Sequence, residues 1–243
     1  MVDGPQGVDV SRYQGVIDWK TAAIAGIKFA VIRATIGDLY TDPRLFANWE
    51  GAKNAGILTT AYHVVRYDAD PEAQLAHFIK AIAEAPGDPD LPLVLDVELP
   101  SRGGQSPQHK ATLENTAAMI NTALPDKMII YTGAWWWNPA LQDGSMNWNY
   151  LPDLWTASYT TAPYLPSSWS AWHFWQYTNQ GKVGGIDGNV DLDVWNGDYQ
   201  SLMSYSSEYT GDVIPDPDPT PIEEQIVTLV IKGRDLEVEL VQG

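Results

Sequence analysis

The chain has 243 residues, 44% of them hydrophobic and 11% aromatic, enough to bury a large core within one barrel-sized domain. Its formal net charge of -17, without any run of Lys or Arg, excludes a nucleic-acid partner, because phosphates would be repelled. The absence of cysteine excludes disulfides, thiolate catalysis and Cys-based zinc sites, and no apolar stretch approaches the ~20 residues of a membrane span.

In chain order, apolar strand-like runs alternate with amphipathic segments, which is the pattern of βα units. Eight strands are expected: Gly7 to Ser11, Phe29 to Thr35, Leu58 to Arg66, Leu91 to Leu99, Met128 to Gly133, Leu154 to Thr160, Ala171 to Thr178 and Val190 to Trp195. Helices are expected at Trp19 to Ala25, at Pro43 to Ala55 between an Asp42 N-cap and Gly56, at Pro71 to Glu84 behind Asp70, and at Gln108 to Ala123. Residues 134 to 153 and 161 to 170 are rich in Trp, Asn, Pro and Ser, so loops or short helices replace full crossovers there. The fold class is therefore α/β, an irregular TIM-like β/α barrel with reduced helices in its second half.

The expected domain limits are a catalytic barrel over 1-207, a Pro/Asp-rich linker over 208-221 and a short hairpin-like tail over 222-243. From Glu208 onward the chain carries nine acids against Lys232 and Arg234, a net of -7 of the total -17. The tail could pack on the barrel, self-associate, contact a partner, begin a larger module, or be dispensable.

Asp96 and Glu98 close the run Leu91-Pro92-Leu93-Val94-Leu95-Asp96-Val97-Glu98-Leu99. On one strand face their backbones would stand roughly 6.6 Å apart, so that one ionised carboxylate raises the pKa of the other. Such a pair suits glycosidic cleavage; a metal-binding or solvated strand end is the competing reading. Asp9, ending the first strand, and Asp191, on the last, would join the pair at the C-terminal face of a closed barrel. Alternatively Asp9 caps a turn, and Asp191 or Asp193 is simply solvated.

Nine of the eleven tryptophans lie between Trp135 and Trp195, a density that suits sugar-ring stacking. Trp175, Gln176, Tyr177 and Asp193 are accordingly candidate substrate-binding residues, while about half of the tryptophans, Trp19 and Trp49 especially, are expected to pack structurally. The four histidines show no metal-ligand spacing and Gly184-Gly185-Ile186-Asp187-Gly188 lacks a dinucleotide-loop context, so neither a metal nor a cofactor is expected. His63 is read as a hydrogen-bonded residue inside the barrel.

The ordered segments Gly7-Val8-Asp9-Val10-Ser11-Arg12-Tyr13-Gln14-Gly15, Ile17-Asp18-Trp19, Ala61-Tyr62-His63, Leu95-Asp96-Val97-Glu98, Tyr131-Thr132-Gly133, Leu154-Trp155-Thr156-Ala157-Ser158-Tyr159, Phe174-Trp175-Gln176-Tyr177 and Val190-Asp191-Leu192 resemble family 25 of the glycoside hydrolases. These are the Chalaropsis-type lysozymes, and the likeness spans about residues 7 to 197. It implies an N-acetylmuramidase that cuts the β-1,4 bond between N-acetylmuramic acid and N-acetylglucosamine in bacterial peptidoglycan with retention of configuration. By the same resemblance Glu98 is the general acid, Asp9, Asp96 and Asp191 are further active-site carboxylates, and Tyr62, Tyr131 and Trp155 line the cleft. Asp96 is either a nucleophile or, with Asp191 as the other candidate, the group that orients a substrate N-acetyl attack.

Three positions depart from the family pattern: Arg33, Ile36 and Val64 stand where Lys, Glu and Phe are usual. An alternative on the same barrel is a catalytically weak carbohydrate-binding or virion-associated structural protein. The expected place of action is the bacterial cell wall. With no leader before the first motif, release as a phage endolysin or secretion with the leader absent is expected.

Overall fold

A computed structural model describes residues 3–98, 107–122, 127–141 and 148–210. Eight strands close into a barrel in the order β1 (Gln6–Val10), β9 (Val190–Trp195), β8 (Phe174–Gly181), β7 (Asp153–Ala157), β6 (Ile129–Thr132), β5 (Val94–Asp96), β4 (Leu58–Val64) and β2 (Ile27–Ile36). Pairing of β1 with β2 completes the circle, and β3 (Tyr40–Thr41) adds a short antiparallel ribbon to the end of β2. The α/β barrel expected from the sequence is thus present.

Strand direction is mixed. All neighbours from β1 through β2, β4, β5, β6, β7 and β8 run parallel, whereas β9 is antiparallel to both β8 and β1. The parallel neighbours that βα units imply fail at β9, because only a short connection joins β8 to β9 and a parallel return needs a crossover of a dozen or more residues. The reversal has a chemical consequence. Asp191, the second residue of β9, would lie at the wrong end of a parallel barrel, but its antiparallel register places it opposite Asp9.

Helices cover the first half as the cap signals indicate. Asp70 accepts from the Ala73 N–H at 2.9 Å ahead of α3 (Pro71–Ala83), with Pro71 preset in its first turn. Asp18 does the same for α1 (Trp19–Ile24), accepting from the Thr21 N–H at 3.0 Å. The helix expected from Pro43 begins at Leu45 as α2 (Leu45–Asn54); Asp42 Oδ1 accepts from the Arg44 N–H at 2.9 Å, while its Oδ2 holds Arg33 at 2.7 Å. The later helices are α4 (Pro107–Thr122), α5 (Ala134–Ala140) and α6 (Tyr199–Thr210). α6 runs three residues past the boundary expected at 207; the linker beyond Thr210 and the hairpin-like tail lie outside the described residues.

Alternation along the strands separates two apolar layers. Phe29, Val31, Val94, Ile129, Tyr131, Trp155, Phe174 and Trp195 fill the lumen, while Val8, Val10, Ile32, Leu95, Val97, Ile130 and Leu154 meet the helices outside. Gly7 is required where it stands, because a side chain there would collide with the Phe29 ring packed against it. The strand expected at Leu91 to Leu99 shortens to Val94–Asp96; Pro92 has no N–H for the ladder, and Glu98 lies beyond the strand end.

Candidate active site

At the end of the barrel where the parallel strands finish, the lumen opens into a bowl of about 310 Å³. Its walls are Asp9, Arg33, Tyr62, Val64, Asp96, Glu98, Tyr131, Trp155, Tyr159, Gln176, Asn179 and Asp191. All four carboxylates singled out in the sequence meet here, each from a different cause. Asp9 is the last residue but one of β1, Asp96 ends β5, Glu98 follows two residues later, and Asp191 arrives through the reversed strand.

Burial is the first cause of an upward pKa shift in every one of them. Asp9 is held well above the ordinary carboxylate range by burial and then by the charges of Asp193 and Asp191. Asp96 is likewise well above it, through burial and then Glu98, with Arg33 opposing. Glu98 is raised by burial and then by Asp191, and Asp191 by burial, against a hydrogen bond with Asp9. Several of these groups therefore carry protons where an exposed Asp or Glu would be ionised. They titrate as a set rather than singly.

Gln176 anchors the floor. Tyr131 and Tyr159 donate their hydroxyls to its Oε1 at 2.9 and 2.6 Å, and its Nε2 donates to Asp9 Oδ2 at 2.7 Å. That network fixes the amide and, through it, the Asp9 carboxyl. The phenols of Tyr62 and Tyr131 are pushed well above their usual value by burial, so they stay protonated as donors. Asp96 Oδ1 differs from the rest: it is buried and accepts no hydrogen bond among the described residues. The Asp96 side chain lines the bowl, so a turn of its carboxyl would present this oxygen to an incoming N–H or hydroxyl.

Asp193 is not a lining residue, contrary to expectation. It is fully buried beneath Asp9 and accepts from Trp155 Nε1 at 2.9 Å, while its Oδ2 receives no N–H or hydroxyl among the described residues. Hydrogen bonding between Asp193 and Asp9 then requires a proton on one carboxyl, in keeping with raised pKa values for both.

Trp175 and Tyr177 are also corrected. Alternation along β8 sends Gln176 into the bowl and both aromatics outward, where Trp175 donates to the Ser158 carbonyl at 2.7 Å and Tyr177 to Gln6 Oε1 at 2.7 Å. Most of the tryptophan cluster follows them. Trp137, Trp148 and Trp169 pack on one another with ring centroids 4.8 to 6.4 Å apart, and only Trp155 of the eleven lines the bowl. The aromatics that line the bowl are chiefly tyrosines, Tyr62, Tyr131 and Tyr159.

Tyr159, Asn179 and Arg33 complete the lining, although the sequence reading gave them no role there. Tyr159 was visible as the last residue of its motif, and Arg33 as a departure from a pattern; Asn179 carried no signal. Arg33 contributes the bowl's cation and is held by Asp42 through Nε at 2.8 Å and Nη2 at 2.7 Å. Ile36 pairs with Val64 across β2 and β4 but is not among the lining residues. His63 points away, bonded to Thr35 Oγ1 at 2.7 Å, and burial lowers its pKa to about 3, so it is neutral. A shallow hollow of about 560 Å³ at the opposite end, lined by Pro5, Lys28 and Tyr199, gathers no comparable set of groups.

The sequence matches the family model described as glycosyl hydrolases family 25 over residues 8–186. Lysozyme M1 of Streptomyces globisporus is 34% identical over 215 residues, covering 84% of this chain and 72% of that protein. The crystal structure of a bacterial lysozyme from Streptomyces coelicolor superposes with a TM-score of 0.70 at 32% identity, over 86% of this chain and 100% of the other. A family 25 glycosyl hydrolase from Bacillus anthracis gives 0.68 at 29% identity, over 83% and 93%. With the model match covering well over half of its length, and the barrel and carboxylate bowl in place, the chain belongs to glycoside hydrolase family 25.

Proposed function

We propose that the chain is a lysozyme-type N-acetylmuramidase that hydrolyses the β-1,4 bond between N-acetylmuramic acid and N-acetylglucosamine in bacterial cell-wall peptidoglycan, with Glu98 as general acid. The observation that carries this reading is the convergence of Asp9, Asp96, Glu98 and Asp191 in one open bowl beside an amide-and-phenol network. Family membership supports the same reaction.

Glu98 suits the acid role because it is raised by burial and by Asp191, yet stands outside the strand at the bowl wall. Its proton passes to the glycosidic oxygen as the bond to the anomeric carbon breaks. The carbonyl oxygen of the muramyl N-acetyl group forms a bond to that carbon from the opposite face, giving an oxazolinium. Asp96, whose ionised form the Arg33 charge favours, turns toward the bowl to receive the acetamido N–H and stabilises the charge that develops there. Glu98, now a carboxylate, takes a proton from water as the water opens the oxazolinium, and two inversions leave the configuration retained.

The test is the identity of the new chain end. Borohydride reduction of digested peptidoglycan should convert muramic acid, not glucosamine, to its alditol. A glucosaminitol product contradicts the bond assignment, and a glycosyl ester on Asp96 recovered after denaturing quench contradicts attack by the N-acetyl group.

A further inference from the structure

Beside the bowl lies a group of donors that the reaction does not use. Ser11 follows β1 and caps the turn Arg12–Gln14, and Tyr40 opens β3 on the ribbon that extends β2. The Arg12 guanidinium donates through Nη1 to the Tyr40 hydroxyl at 3.0 Å and through Nη2 to the Tyr13 hydroxyl at 3.3 Å. It also sits 5.0 and 5.6 Å from the centroids of those two rings. The turn is tied down from below: Arg12 N–H donates to Asp42 Oδ2 at 3.1 Å, the same oxygen that holds Arg33. Arg33 lines the bowl and lies 5.2 Å from the Tyr13 ring, so this group is one side chain removed from the carboxylates.

Its hydrogen-bond balance is one-sided. In both contacts the phenol oxygen accepts, which leaves each O–H proton free to donate. The remaining guanidinium N–H groups are free as well, and no carboxylate lies within ion-pair distance of Arg12 among the described residues. Arg33 differs, since Asp42 neutralises it. A cation and two hydroxyl donors, held in one place and lacking an acceptor, match a carboxylate.

We propose that Arg12, Tyr13 and Tyr40 form a binding notch for a carboxylate borne by a muramyl residue of the glycan strand. This rests on the peptidoglycan reading above, and it adds what draws an anionic strand to a chain of net charge -17. The carboxylate comes either from the lactyl group itself or from a stem peptide attached to it; the chemistry is shared.

Three substrates separate the sources: intact peptidoglycan, strands stripped of peptides by an amidase, and stripped strands whose lactyl carboxylates have been amidated with carbodiimide and ammonia. Arg12→Gln should lower kcat/KM about fivefold, through KM, on substrates that present the carboxylate, the upper range for an exposed charged contact. Loss on the stripped strands alone, where the amidase has freed the lactyl group from its amide bond, assigns the lactyl carboxylate; loss on intact peptidoglycan alone, where that group is amide-linked, assigns the stem peptide, and loss on both assigns a notch that takes either. Wild type and Arg12→Gln should coincide on the amidated strands. Equal kinetics on all three substrates, or a loss that persists after amidation, overturns the notch. Sedimentation of the Glu98→Gln protein with the same three polymers, with and without Arg12→Gln, reads binding without turnover. A wild type that releases no reducing ends would then count against the muramidase reading alone.

Discussion

The bowl and the tryptophan-clad flank are the two aromatic-rich regions of this barrel, and they are built for opposite purposes. In the bowl, tyrosines present hydroxyls to polar neighbours and carboxyls are kept close despite their repulsion. On the flank, Trp136, Trp137 and Trp169 are buried and pack with their rings at steep angles where the second half lacks full crossover helices. A barrel wall must be covered by apolar mass whatever its source, and large indoles on the short α5 and the segments after it supply there what longer helices supply elsewhere. Aromatic density therefore marks a packing solution in one region, and the convergence of carboxyls on an open bowl marks chemistry in the other.

The largest effect expected on the packing side is from Trp137→Ala. Trp137 is fully buried and contacts Trp136, Trp148 and Trp169, so chemical denaturation should show a loss of about 3–5 kcal/mol. Activity per folded molecule at low temperature should stay near that of wild type, and a selective loss there would break the division between the regions. Asp96→Asn should do the reverse. It keeps the shape but weakens the acceptor, lowering turnover of peptidoglycan about 100- to 1000-fold with little change in the denaturation midpoint.

Stability against pH sharpens the contrast. The buried carboxyls of the bowl have raised pKa values, so the folded chain keeps protons that the unfolded chain releases above about pH 4. Their contribution is complete below that range and is lost as pH rises through the folded values. His63 on the outer face has the opposite sign: lowered to about 3, it contributes fully above its unfolded value of 6.5 and loses that contribution as pH falls toward 3. Asp193→Asn should flatten the first slope and His63→Gln the second, each by up to about 1.4 kcal/mol per pH unit in melts across pH 3 to 8. Parallel changes for the two variants would show that the regions are not electrostatically distinct. The smallest effect expected is from Tyr159→Phe, which removes one of two phenol donors to Gln176 and should reduce kcat/KM roughly threefold.

Much of the fold could be read from residue order because local signals agreed with one another. The Asp70-Pro71 and Asp18-Trp19 starts are caps in the structure, and Val190 to Trp195 is a strand over its full length. What escaped was non-local. Nothing near residue 190 reveals that β9 reverses, and nothing near Asp42 reveals that Arg33 claims it from another element. In the bowl, the residues that end or begin strands were legible because a carboxylate there conflicts with its apolar neighbours. Trp175 and Tyr177 were misread because tryptophan density suggested sugar stacking, whereas alternation along their strand decides which of three adjacent side chains faces inward. Asp193, two residues from Asp191, shares its face yet lies one layer deeper, a difference of depth that sequence spacing does not encode.

Reducing-end release from peptidoglycan by wild type and by Glu98→Gln, compared at equal folded concentration, bears most directly on Glu98 as the proton donor. Loss of that donor should lower the rate by at least about 100-fold while the melting temperature is kept or slightly raised, since a strained buried carboxyl has been made neutral. A Glu98→Gln protein that cleaves within about tenfold of wild type would contradict the assignment and move the acid to another carboxyl of the bowl.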